Sequence, residues 1–122
     1  MNDAAGHHVL MTIHGQQASA GRHLGRVRVI HDASDLCVVG PGDVLVLATA
    51  ACEVSAALGA AGALVTEYGG ALSNLATLAR ELGIPYVTGA PRATTALQTG
   101  DLALVDADAA TVSVLVEAYA TR

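Results

Sequence analysis

The sequence predicts an α/β domain with a parallel core sheet and antiparallel additional strands. Three observations carry this reading. Residues 44–47 form a continuously apolar run, as expected of a strand covered on both faces. Leu75, Leu78, Ala79 and Leu82 recur at the i, i+3, i+4, i+7 spacing of a helix that buries one face. Near both ends the chain alternates apolar and polar residues with period two, the pattern of half-exposed strands.

Taken in order, residues 9–14 and 23–30 alternate and are predicted as two strands, joined in antiparallel fashion by a turn through the Gly- and Ser-containing stretch 15–21. Gly40-Pro41-Gly42 is a turn signal ahead of the apolar strand at 44–47. Residues 53–60 read as a short helix and 63–66 as a second buried strand, which together make a βαβ unit. The next helix is better bounded. Ser73 stands where an N-cap is needed, Gly83 where the helix stops, and Pro85 prevents its resumption. A third strand near Tyr86 and Val87 completes a second βαβ unit. Residues 93–97 are assigned one helical turn, and 102–105 and 111–117 a pair of strands around the Asp106-Ala107-Asp108 turn. No repeat, low-complexity tract or linker interrupts the pattern, so residues 1–122 are expected to form a single domain with residues 1–8 as a loose N-terminal segment.

Composition narrows the function classes. A chain of 122 residues is long enough to bury roughly two thirds of its extended surface in one core, and too short for a second catalytic domain. With no Phe and no Trp, the core must be built from Val, Leu, Ile and Ala, and base-stacking platforms are lacking. Six arginines, no lysine and a formal charge of −5 argue against nucleic-acid binding. No apolar run approaches the ~20 residues of a membrane span, and residues 1–8 do not resemble a secretory signal, so a cytoplasmic location is expected. Cys37 and Cys52 lack a CxxC spacing and are expected as small buried side chains rather than a disulfide or metal pair. Adjacent His7 and His8 do not by themselves make a metal site, and no cofactor is expected.

The candidate site lies between the second apolar strand and the well-bounded helix. In parallel sheets, ligands gather beyond the carboxyl ends of strands, at the amino ends of the helices that follow. Residues 67–74 occupy that place. Gly69-Gly70 lets backbone approach a bound group, and the N–H groups and dipole of the helix favour an anion. Thr66 and Ser73 can donate hydroxyl hydrogen bonds, Glu67 is a candidate general base, and Arg80 lies about two turns along the helix. Thr66, Glu67, Gly69, Gly70, Ser73 and Arg80 are therefore the candidate anion-binding set.

Residues 66–89, TEYGGALSNLATLARELGIPYVTG, also carry a resemblance. They are similar to the mobile, swivelling phosphohistidine domain of the phosphoenolpyruvate-utilising enzymes, a group that includes pyruvate phosphate dikinase, phosphoenolpyruvate synthase, enzyme I of the sugar phosphotransferase system and rifampin phosphotransferase. The family segment reads roughly T-E-x-G-G-x-x-S-H-x-A-I-x-A-R-E-x-G-I-P-x-V-x-G. The likeness extends to residues 15–21 (G-x-x-A-S-P-G, with Ala20 at the proline), to the PGDVLV run from Pro41, to Ala93-Thr94, and to Thr99-Gly100-Asp101 at a D-G-D element. It covers about residues 13–116. It implies a three-layer β/β/α swivelling fold.

The resemblance also implies that the histidine after the serine carries phosphoryl, and here that position is Asn74. Covalent carriage needs a lone pair that attacks phosphorus. The amide nitrogen of Asn74 has its lone pair delocalised into the carbonyl, so the position is expected to be inactive. His14, His23 and His31 fall on or beside the opening strands and read as surface or strand-end residues. The expected function is accordingly a stand-alone relative of the phosphohistidine domain that binds or docks in a phosphotransfer system without catalysis. Partners implied are an ATP-grasp or phosphoenolpyruvate/pyruvate-binding protein, or a phosphorylated small molecule. The alternative is a phosphoryl-carrier subunit of a split phosphotransferase in which the histidine has been replaced or another residue is used. A third reading is a homodimer formed through apolar strand edges.

Overall fold

A computed structural model describes residues 7–49, 54–69 and 74–117. The strands are β1 (His7–His14), β2 (Gln16–Ser19), β3 (Arg22–Ile30), β4 (Val44–Thr49), β5 (Ala63–Tyr68), β6 (Tyr86–Thr88), β7 (Leu102–Asp106) and β8 (Thr111–Glu117). The helices are α1 (Val54–Leu58), α2 (Asn74–Leu82) and α3 (Ala93–Ala96), with a 3₁₀ helix at Ala33–Val38. Hydrogen bonding orders the strands β1-β8-β7-β3-β4-β5-β6-β2.

Side-chain alternation in β4 shows why this order makes three layers. Val44 and Val46 point into one core with Val27, Val65, Val87, Val105 and Val112. Leu45 and Leu47 point the opposite way into a second core with Leu58, Leu64, Leu75, Ala76, Ala79 and Tyr86. The first core lies between the parallel strands β3-β4-β5-β6 and the antiparallel ribbon β7-β8-β1. The second lies between the same parallel strands and α1 and α2. A continuously apolar strand is what two covered faces demand, and each such fully buried Val or Leu contributes about 1.5–3 kcal/mol relative to exposure. The domain is thus the expected α/β fold, with a β/β/α layering.

One strand serves both sheets. Residues 22–26 of β3 pair antiparallel with β7, whereas residues 27–30 pair parallel with β4. At the amino ends of the parallel strands this strand change is held by His23, whose Nε2 lies 2.7 Å from the Gly42 carbonyl oxygen. A Cβ on Gly62 would collide with the same ring, so glycine is required for His23 to pack there.

Several expectations at the amino end need correction. Residues 15–21 are not a plain turn: β2 lies within them and pairs antiparallel with β6. β1 and β3 do not pair with each other, because β8 and β7 stand between them. The strand preference of β1 and β3 was legible, but a local turn signal says nothing about a partner about 100 residues away, and β8 supplies that partner. The strand begins at His7, so His7 and His8 are not a loose segment. Their backbones face Glu117 and Val116.

The helical elements differ in smaller ways. Leu82 is 48% exposed, although its spacing placed it on the buried face. The cause is the helix end: Ile84 N–H donates to the Ala79 carbonyl (2.9 Å) and Gly83 N–H to that of Arg80 (3.3 Å), with Gly83 at φ 72°. This Schellman turn brings Ile84 to the core instead. Cys37, expected buried, is exposed on the 3₁₀ helix, and Cys52 lies outside the described residues.

The 3₁₀ helix was not anticipated. Its signal is the spacing of Asp32 and Asp35, which form a capping box. Asp32 Oδ1 accepts from Ser34 Oγ (2.5 Å) and Ser34 N (2.9 Å), and these bonds hold its carboxyl below the ordinary range. A depressed carboxyl contributes stability above its unfolded value of about 3.9 and loses it as pH falls through the folded value. Asp32→Ala is therefore expected to lower Tm by a few degrees at pH 7, with the gap from wild type narrowing as pH falls below the ordinary carboxyl value and through the lower folded one. Thermal melts across that range check it, and a gap unchanged at low pH would show that charge plays no part.

Candidate functional site

β5 ends at the candidate site, and the residues beneath it are held by three hydroxyls. Thr66, Tyr86 and Thr88 sit on the α face of the sheet and are all fully buried. Thr66 Oγ1 lies 2.9 Å from Tyr86 OH and 2.9 Å from Thr88 Oγ1, and Thr88 Oγ1 donates to the Gly69 carbonyl at 3.1 Å. Each hydroxyl has one proton to give. Because Thr88 gives its proton to Gly69, Thr66 must be the donor in the Thr66–Thr88 contact. Tyr86 must then be the donor to Thr66. The chain runs Tyr86 to Thr66 to Thr88 to the Gly69 carbonyl, in one direction, as cooperative networks do.

Gly69 sits directly above this chain at φ 134°, a conformation that side-chain-bearing residues rarely adopt. A Cβ there would stand 3.4 Å from Thr88 Oγ1, so space is adequate and the backbone conformation is what requires glycine. Thr66, a candidate anion donor, is instead an internal link. Its carbonyl accepts from Ala90 N–H at 3.1 Å, which ties the end of β5 to the loop after β6.

Glu67 points to the other face of the sheet. Its Oε2 accepts from Thr94 N (2.8 Å) and Thr94 Oγ1 (2.6 Å). Arg92, at the N-cap position of α3, makes no side-chain cap, so the carboxylate of Glu67 satisfies a helix N–H from across the chain. Arg80 NH1 donates to the Ala18 carbonyl at 2.7 Å and NH2 lies 3.4 Å from Thr77 Oγ1, joining α2 to β2. Asn74 is exposed at the first residue of α2. Gly70 and Ser73 lie outside the described residues. The structure thus places Thr66, Glu67 and Arg80 in the support of the site, and Gly69 and Asn74 at its surface.

The fold brings a histidine to the same end of the sheet. β2 runs back along β6 with Gln16 opposite Thr88, so Gly15 packs against the end of β6. A Cβ on Gly15 would meet the Thr88 carbonyl, Val87 Cγ1 at 2.7 Å and Ala90 N at 3.3 Å. His14, exposed, is the next residue. Sequence distance had separated it from the site. His23 lies at the opposite, amino ends of β4 and β5, against Gly42 and Gly62. Among the described residues no group of three or more His, Cys, Asp or Glu side chains is placed to hold a metal, and no helix is long and apolar enough to cross a membrane.

A family model for the PEP-utilising enzyme mobile domain matches residues 39–110, which include the hydroxyl chain, Glu67, Asn74 and α3. The chain belongs to this family. The mobile domain is 46% identical over 92 residues to a probable phosphoenolpyruvate synthase of Pyrococcus abyssi, covering 75% of this chain and 11% of that protein. It is 39% identical over 103 residues to the uncharacterized phosphotransferase YvkC of Bacillus subtilis, covering 84% of this chain and 12% of that protein. It therefore spans about a tenth of the length of the curated relatives it matches. A solution structure of an Enzyme I protein superposes with a TM-score of 0.57 at 28% identity, over 65% of this mobile domain and 33% of that chain. Aconitase X of Thermococcus kodakaraensis superposes with a TM-score of 0.66 at 21% identity, over 87% of this chain and 99% of that one. That second likeness is one of fold alone, and a shared fold leaves function to the site.

Proposed function

We propose that this mobile domain serves a phosphotransfer system by binding or docking and does not itself carry phosphoryl. The observation that carries the reading is Asn74, an exposed amide at the head of α2, in the position where the family resemblance puts the phosphorylated histidine. Transfer onto a carrier forms a bond to phosphorus from a nucleophilic lone pair. The carboxamide nitrogen offers none near neutral pH. The support around it is intact: the hydroxyl chain fixes Gly69, Glu67 fixes α3, and Arg80 fixes α2 on β2. Such a domain can still meet the surfaces that recognise a phosphohistidine domain. An ATP-grasp or phosphoenolpyruvate/pyruvate-binding protein, or a phosphorylated small molecule, is the corresponding partner.

Intact-mass measurement after incubation with phosphoenolpyruvate or ATP, together with the nucleotide-binding and barrel domains of a phosphoenolpyruvate synthase, tests this. The wild-type chain is expected to show no phosphate adduct, and Asn74→His to gain one. A wild-type adduct would overturn the reading.

One observation favours a second reading, a carrier that uses another residue: the fold sets exposed His14 beside the end of β6. A wild-type adduct abolished by His14→Gln would establish it.

A further inference from the structure

We draw no further inference here: the strongest candidate, the surface patch on the outer face of the β3–β7 pair, where exposed Leu24 lies between exposed Arg22 and Arg26 and opposite Leu104, carries none because nothing in the structure shows what covers it.

Discussion

Thr66→Val is expected to cost about 2–3 kcal/mol and Tyr86→Phe about 1 kcal/mol, and the double variant should be no less stable than Thr66→Val alone. The order follows from the direction of the proton chain. Tyr86 is the terminal donor, so removing its hydroxyl deletes one bond and strands no donor: Thr66 still donates to Thr88, and Thr88 still donates to Gly69. Thr66 is the middle link. Its loss leaves the Tyr86 O–H facing a methyl group at a fully buried position, and a buried donor without an acceptor costs more than the bond that was lost. Adding Tyr86→Phe to Thr66→Val then removes the stranded donor, which is why the losses do not add. Urea denaturation of the three variants measures this cycle. Additive losses would mean that the protons do not run from Tyr86 toward Gly69.

The same cycle bears on the site, because the last acceptor in the chain is the carbonyl of Gly69. Thr88→Val removes the bond that holds that carbonyl from below while leaving the Thr66–Tyr86 contact in place. The hydroxyl chain therefore couples core stability to the surface that presents Asn74, with Tyr86 contributing from the second core.

Local chemistry was the legible part of this molecule. The apolar run of β4 and the Gly83 stop of α2 declare themselves over a few neighbouring residues, since burial on two faces and a left-handed cap each impose a short pattern. What could not be read was pairing at a distance. β2 was hidden inside a turn-rich stretch because its order comes from β6, about 70 residues away. Within the site, Thr66 and Glu67 read as ligand groups, since a hydroxyl and a carboxylate at a strand end look the same whether they face a ligand or the protein. Their partners, Tyr86 and Thr94, lie 20 and 27 residues on and decide the matter. The one trace was alternation: Thr66 shares the face of Leu64 and Glu67 that of Val65, which sends the two side chains to different layers.

Gly15→Ala is expected to be among the most damaging single-methyl changes in the domain, at about 3 kcal/mol and about 10 °C of Tm. The added Cβ would meet the Thr88 carbonyl, Val87 Cγ1 at 2.7 Å and Ala90 N at 3.3 Å. Two of these are backbone atoms of β6 and its following loop, which cannot rotate away as a side chain can. Gly15 does not adopt a left-handed φ, so the penalty is one of volume. Gly59→Ala is the matched control: nothing lies within 4 Å of its added Cβ and its φ is not positive, so its effect should stay within about 0.5 kcal/mol. Because Thr88 also anchors Gly69, the strain of Gly15→Ala enters the site from below. Amide exchange at Thr88 and Gly69 is expected to rise more than exchange in β4, where the same global loss applies without the local clash. A Gly15→Ala protein as stable as Gly59→Ala, with Gly69 protected as in wild type, would show that β2 can lift off β6 without disturbing the surface that Asn74 presents.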